Sequence, residues 1–495
     1  MSNALRRTFA AGAFGSAMLA LPLAGLAGTS ILPDDAFNSC PLEKAEMETW
    51  FQGKEITLNG KVMAANSAAF PTKNTNCDFF KWSAQMFLWL TSPAELKSTG
   101  DMTYLFDADG FYDISPENDK GVRRFLKNDS PINNFLIRVN KQDQGVPTTI
   151  GETGQAGGGG ILISQAGSLV YYGIHTNTFY GAFLTGQKAG KISLGTFFPT
   201  TEEDKTAVVE YAKANGLDAS AAMALAIELK TSWIDASTVP DPENYIQVKA
   251  EVPKYDTSVP TQWTLVGTET RTLALIGMHI VGSVQGHPEM IWSTFEHKNN
   301  TPNGTFYYQS GANAVTEVNF DASASGYTFY APNTPVNGVN VETAHTDKHG
   351  NIVLTPPATR IVPTSVVRTN PWGTSGPDAN SATVNAQIIS MNNNVLGNLV
   401  SGDIRANYVQ IGSVWTSNGI IPESPLPDQT NSDVALLAPQ VGSSRLANTT
   451  METYFQGTQM GNCFLCHNAG GSPAPDGSFG DEELSHIFFD LAPLR

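Results

Sequence analysis

Apolar residues recur along this chain with two periods, and those periods place its elements. In Cys77-Asp78-Phe79-Phe80-Lys81-Trp82-Ser83-Ala84-Gln85-Met86-Phe87-Leu88-Trp89-Leu90, Phe79, Trp82, Met86 and Trp89 fall at helical spacing. That predicts a buried helix whose aromatic stripe belongs to the core rather than to a cofactor wall. A shorter helical run over 42–51 ends at a turn at Gly53. The glycines at 157–160 precede a β-type run from Ser168 to Phe183, whereas a phosphate loop needs a helix N-terminus at that point. They predict a turn before a hairpin. Two helices are expected next. One opens on the capping box Thr200-Thr201-Glu202-Glu203 and stops at Gly216. The other runs from Ala219 to Trp233, with Leu225, Leu229 and Trp233 in one stripe. Ile246, Val248, Ala250 and Val252 then alternate with polar residues as a strand does. Further strands are expected at 263–266, 272–284, 290–297, 305–309 and 352–354, and a helix at 379–397. Residues 417–444, rich in Pro, Ser, Asn and Gln, read as a linker. Thr449-x-x-Glu452 is a second capping box. Leu484, Ile487, Phe488 and Leu491 form the stripe of a last helix. The expected fold is mainly β with several packed helices (α+β), closed by a short helical C-terminal segment.

Composition agrees with that reading: 45 Gly and 29 Pro among 495 residues suit a turn-rich β protein. The net charge of −17 argues against nucleic-acid binding through the general field. It suits solubility, and it would complement a basic redox partner. Arg6-Arg7, the apolar stretch from Phe9 to Leu26 and the small-x-small site Gly25-Leu26-Ala27 predict a signal peptide over 1–27. The twin-arginine reading of Arg6-Arg7-Thr8-Phe9 is set aside because that route exports folded proteins. No other stretch is long and apolar enough to span a membrane. The expected organisation is a leader (1–27), a mainly β region (28–416), a linker (417–444) and a C-terminal segment (445–495).

The chemistry-bearing motif is Cys463-Phe464-Leu465-Cys466-His467. Two thiols three residues apart can each form a thioether to a haem vinyl group, and the adjacent imidazole falls under the iron as proximal ligand. A zinc site wants four ligands and usually a second paired cluster, which is absent. A thioredoxin-like dithiol would be expected near a βαβ pattern. The motif therefore predicts one covalent haem c held by Cys463, Cys466 and His467. The two remaining cysteines, Cys40 and Cys77, are the disulfide candidates for an exported chain.

Function turns on the other side of the iron. No methionine follows His467, and Met460 lies too close before Cys463 to reach across the ring. The candidate distal ligands are His486, which points away from the apolar stripe of its predicted helix, and His279 or His297. The last two flank a predicted hairpin with its turn near 286–289. If Val284 faces Met290, then His279 faces Phe295 and shares a face with His297; a one-residue slip separates them. The three histidines and two methionines of this hairpin also permit a copper site. His175, His345 and His349 are assigned no role.

The aromatic helix around Trp82 to Trp89, the GMHIVG run at 277–282, the IWSTFEH run at 291–297 and the terminal CFLCH together resemble a group of secreted bacterial proteins usually called cytochrome c family proteins. The resemblance spans most of the chain after the leader and implies a periplasmic protein with one covalent haem. It carries over Cys463, Cys466 and His467 and brings no reaction with it. Three functions stay open. The first is one-electron transfer in the periplasm or extracellular space. The second is a c-haem enzyme with an open iron acting on peroxide, oxygen or a small organic substrate, catalytic residues unassigned. The third is a secreted β-rich binding protein in which the haem serves sensing or stability.

Overall fold

The computed structural model describes residues 31–128 except Thr72 and Asp119, 160–192, 197–422 except Lys348 and Ser375, 440–456, 463–468 and 484–494. The expected signal peptide, the glycines at 157–159 and the middle of the expected linker lie outside the described residues. Ile31–Arg495 forms one compact unit, so the C-terminal segment belongs to the same body as the strands.

The fold is mainly β with a few helices. The strands are β1 (Pro93–Glu95), β2 (Met102–Tyr104), β3 (Phe111–Ile114), β4 (Phe125–Lys127), β5 (Tyr171–Asn177), β6 (Ile227–Asp235), β7 (Gln247–Asp256) and β8 (Gln262–Val284). They continue with β9 (His287–His297), β10 (Phe306–Gln309), β11 (Val315–Val318), β12 (Ala344–Thr346), β13 (Ile352–Leu354), β14 (Tyr408–Thr416) and β15 (Gln440–Gly442). The helices are α1 (Lys44–Glu48), α2 (Asn76–Leu90), α3 (Thr178–Lys188), α4 (Glu202–Ala214), α5 (Ala379–Asn398) and α6 (Cys463–Cys466). Among the described residues, eleven strands form one sheet in the order β15-β14-β9-β8-β6-β5-β3-β4, with β7 and β13 also on β8, and β12 on β13. The two strands expected at 263–266 and 272–284 are one continuous β8.

α2 and α5 pack on one face of this sheet. The capping box of α2 is Thr75 with Asp78, and nearly the whole helix is buried. Phe87 stacks on Phe295 of β9 with ring centroids 4.4 Å apart, and Phe79 stacks on Trp415 of β14 at 4.2 Å. Ser83 Oγ lies 2.5 Å from Ser293 Oγ and 2.9 Å from Ser413 Oγ, so hydroxyls satisfy one another where helix and strands meet. The aromatic stripe is core, as its periodicity predicts. A disulfide joins Cys40 to Cys77, with Cα atoms 5.2 Å apart, and ties the entering chain to the first turn of α2.

Several sequence expectations are corrected. The helix expected from Ala219 to Trp233 is instead a short 3-10 turn followed by β6. Leu225, Leu229 and Trp233 fit a helix, but Ile227, Leu229, Thr231 and Trp233 fit a strand equally well. The alternation of Glu228, Lys230 and Ser232 with these residues is the strand signal that the spacing of the large side chains outweighed, and β6 is paired on both sides. The β run expected to reach Phe183 stops at Asn177, whose side chain accepts from Tyr180 N–H at 2.9 Å and starts α3. The capping box of α4 is shifted by one residue to Thr201 and Asp204. Thr449 is not a cap: its hydroxyl donates to Glu296, and residues 449–456 are turns. Leu484, Ile487, Phe488 and Leu491 are buried as expected, but on consecutive turns rather than a regular helix. The linker expected over 417–444 is trimmed at both ends, because Ser417–Gly419 is a 3-10 turn and Gln440–Gly442 pairs with β14.

Candidate functional site

The site is built on the sheet face opposite α2. β8 and β9 pair His279 with Thr294, Val281 with Trp292 and Gly277 with Glu296, and their tight turn is Gln285-Gly286. This is the one-residue slip, so His279 and His297 stand on opposite faces of the sheet. Strand alternation puts Trp292, Thr294 and Glu296 on the same face as His279. Pairing of β6 with β8 adds Glu228, Lys230 and Ser232 to that face, and pairing of β5 with β6 adds Tyr172. Ser293, Phe295 and His297 turn toward the helices.

The C-terminal segments are fastened to this face residue by residue. Asn448 Nδ2 donates to Thr294 Oγ1 at 2.8 Å, and Thr449 N–H donates to Glu296 Oε1 at 2.8 Å. Tyr172 Oη donates to Thr450 O at 2.7 Å, and Ser232 Oγ and Thr450 Oγ1 are 2.7 Å apart. Glu296 is fully buried and is held from the other side by Arg368 Nη2 at 2.8 Å. A Cβ on Gly277 would come within 2.6 Å of Ser232 Oγ and 2.7 Å of Thr450 Oγ1. The glycine of the GMH run is what lets the 448–450 turn lie so close. His279 Nε2 and Glu452 Oε1 are 3.0 Å apart. Desolvation raises the Glu452 carboxyl, but the opposing pull of His279, Lys230 and the Asn448 N–H is stronger and holds it below the usual range.

α6 carries the Cys-x-x-Cys turn, and His467 N–H continues its hydrogen bonding to Cys463 O at 2.9 Å. Cys463 is half-buried; the side chain of Cys466 is outside what is described. His467 Nδ1 is 2.7 Å from Leu484 O. A carbonyl only accepts, so Nδ1 must donate, and the neutral ring presents Nε2 as a lone pair. The ring lies against Trp292, centroids 4.3 Å apart, and is stacked on His486 at 3.9 Å and 17°. Loss of water around the ring, then the nearby His486, Lys230 and His279, hold its pKa well below the ordinary histidine value. The Leu484 carbonyl is itself fixed by a clamped tail. Lys188 Nζ of α3 donates to the carbonyls of Phe488, Phe489 and Leu491 at 3.2, 3.1 and 2.5 Å. The backbone of Arg123 exchanges hydrogen bonds with Asp490 O and Ala492 N–H at 2.8 and 2.9 Å.

These residues fit covalent haem. The paired-thiol spacing sits on a helical turn, and the next imidazole has its second nitrogen oriented by a backbone carbonyl, the usual arrangement behind a metal-bound histidine. The three candidate distal histidines are placed differently. His486 stacks face to face on His467, whereas two imidazoles on opposite sides of one metal stand end-on with centroids roughly 6 Å apart. His279 shares the face but is engaged with Glu452. His297 is buried on the helix side, its ring 3.7 Å from Tyr245 and its Nε2 3.2 Å from Asn244 O, and desolvation lowers its pKa to about 3. The histidines of the hairpin do not converge, since His287 pairs with Glu289 at 2.8 Å. Among the described residues no group of three or more His, Cys, Asp or Glu could hold a metal ion, which leaves the copper reading without a site.

His175 was assigned nothing, yet its ring bridges Asp113 at 2.7 Å and Thr231 at 3.0 Å. The three side chains resemble a catalytic relay, but His175 is fully buried and reaches no solvent. The residues that sequence reasoning missed are Trp292, Ser485 and Glu228. The signal for Trp292 was the strict alternation of the WSTFEH run, which sends Trp292, Thr294 and Glu296 to one side.

No family model, curated protein or solved structure matches this chain. No helix among the described residues is long and apolar enough to cross a membrane.

Proposed function

We propose that the protein is an exported mono-haem c-type cytochrome that passes single electrons in the periplasm or extracellular space. The observation that carries this reading is the fixing of His467 by the Leu484 carbonyl, directly after the Cys463–Cys466 turn. Cys463 and Cys466 would hold haem c through thioethers, and His467 Nε2 would ligate the iron. Haem so bound supplies a one-electron couple. The chain's own residues set the environment of that couple. Leu484 orients the imidazole, Trp292 and His486 pack against its ring, and the lowered pKa of His467 keeps it neutral and available as a ligand. The Cys40–Cys77 disulfide suits an oxidising compartment. The acidic surface suits a basic redox partner. The GMHIVG, IWSTFEH and CFLCH runs, in which the chain resembles the cytochrome c family proteins, point the same way.

One observation favours the second reading, a c-haem enzyme acting on peroxide, oxygen or a small organic substrate. His486 stacks on the His467 ring rather than standing end-on to it, and His279 Nε2 is engaged with Glu452. Visible spectra of the protein matured in a periplasm, oxidised and reduced, with and without carbon monoxide, separate the two. A sharp low-spin reduced spectrum unmoved by carbon monoxide supports the electron carrier. A high-spin spectrum that shifts with carbon monoxide supports the enzyme. Covalent haem retained after Cys463→Ser with Cys466→Ser would overturn both.

A further inference from the structure

Glu228 stands on β6, on the sheet face that carries the C-terminal segments. Its Oε2 accepts from Ser485 Oγ at 2.6 Å, and Ser485 Oγ lies 2.7 Å from Tyr180 Oη of α3. Ser485 sits between the two residues that frame His467: Leu484, whose carbonyl takes the Nδ1 proton, and His486, whose ring is stacked on it. One hydroxyl thus joins a half-buried carboxyl group to the support of the proximal imidazole. Among the described residues the charged and titratable groups around it are few. Arg123, the cation that acts on Glu228, is engaged with Glu117 at 2.6 Å and faces Asp490 at 3.8 Å. Lys230 follows on the same strand face, and its partner on β8 is His279; β5 offers only Thr176 and β8 Val281 opposite Glu228. α3 contributes Tyr180, and the tail contributes His486.

Resting on the haem reading above, we propose that Glu228 takes up a proton when this centre gains an electron, so that electron transfer here is coupled to proton transfer. One electron arrives from an external one-electron donor and one proton from water. The centre loses one unit of positive charge, the Glu228 carboxylate becomes a carboxylic acid, and no covalent bond of the protein breaks. The hydroxyl chain can accommodate the change by reversing. Protonated Glu228 donates to Ser485, and Ser485 donates to Tyr180. Re-oxidation releases both particles. The coupling is Coulombic: removing a positive charge from the centre that His467 would serve, to which Ser485 joins Glu228, makes the carboxylate harder to keep ionised. Burial already pushes Glu228 up to about 7, against the hydrogen bonds from Ser485 and Tyr180 and the field of Arg123. The group is therefore poised where a modest change of field alters its protonation at neutral pH.

The test is a redox titration of the full haem-loaded chain between pH 5.5 and 8.5, wild type against Glu228→Gln. Glutamine can still accept from Ser485 through Oε1 but cannot titrate. The midpoint potential of the wild type should fall as pH rises around neutrality, approaching the limit of about 59 mV for each tenfold change in proton concentration. The potential of Glu228→Gln should be flat over the same window. Reducing the wild type at pH 7 in weak buffer with an indicator dye should also consume a measurable fraction of a proton per electron. A wild-type potential independent of pH, no proton uptake at pH 7, or the same slope in Glu228→Gln would each overturn the coupling. None of these outcomes touches the haem reading, which fails if the matured chain carries no covalent haem or keeps it after Cys463→Ser with Cys466→Ser.

Discussion

Replacing Glu296 by Ala tests whether the C-terminal segment is anchored as the contacts imply. The carboxylate and its partner Arg368 are 0% and 1% exposed and 2.8 Å apart. Removing one partner of such a pair leaves a buried charge without compensation, which costs about 3–5 kcal/mol. Glu296 Oε1 also accepts the Thr449 N–H, and Oε2 accepts the Thr449 hydroxyl. Glu296→Ala should therefore lower the unfolding free energy of the protein by at least about 3 kcal/mol, read from urea denaturation. Thr449→Val removes only one of these donors and should cost about 1–2 kcal/mol. Because the two changes share a contact, their effects should be less than additive in a double-mutant cycle. In the haem-bound state proposed above, Glu296→Ala should also broaden the reduced visible spectrum, because Thr449 leads to Glu452 and its contact with His279. A loss below about 1 kcal/mol, or strict additivity with Thr449→Val, would refute this account of the anchor.

Replacing Cys40 and Cys77 by Ser opens a loop of sequence separation 37 and should cost about 4 kcal/mol in the unfolding free energy, measured with and without reductant. His297 stays neutral in the folded chain down to about pH 3, while the unfolded chain binds a proton below the ordinary histidine value. Between those limits the unfolded state holds more protons, so stability falls as pH drops below about 6.5, by up to roughly 1.4 kcal/mol per pH unit from this group. In His297→Phe the slope of stability against pH from 6 to 4 should be shallower than in the wild type. Gly277→Ala places a methyl group where Ser232, Thr450 and Asn448 already sit. It should cost about 1–3 kcal/mol by denaturation, whereas Ala at Gly397, with nothing within 4 Å of its Cβ, should not.

Much of the fold was legible from period alone. α2, α5, β7, β9 and β13 lie close to where the sequence put them; β7 shows the alternation of a strand with one covered face, and α2 the spacing of its aromatic stripe. β6 and the end of β5 were misread for different reasons. β6 keeps the alternation of a strand, with Glu228, Lys230 and Ser232 between Ile227, Leu229, Thr231 and Trp233, but the four-residue spacing of Leu225, Leu229 and Trp233 fits a helix as well. The start of α3 depends on one side-chain acceptor, Asn177, inside an otherwise β-like run. The Cys-x-x-Cys-His turn was legible because its chemistry fixes its spacing. What the spacing could not give was the surroundings of His467, which come from β9, from a tail clamped by Lys188 and from a glycine on β8.

The hairpin register is what connects these facts. In the register expected from Val284 facing Met290, His279 and His297 would share a face, and the sheet would offer a pair of histidines to the C-terminal segment. In the observed register the same strands offer Trp292 to the His467 ring, Thr294 to Asn448 and Glu296 to Thr449. One residue of slip thus converts a candidate ligand pair into an anchoring surface. It also explains why so large a body accompanies so short a motif. Phe464 is fully buried, the half-buried His467 ring packs on Trp292 of the sheet, and the tail that carries the Leu484 carbonyl is secured by Lys188 and Arg123.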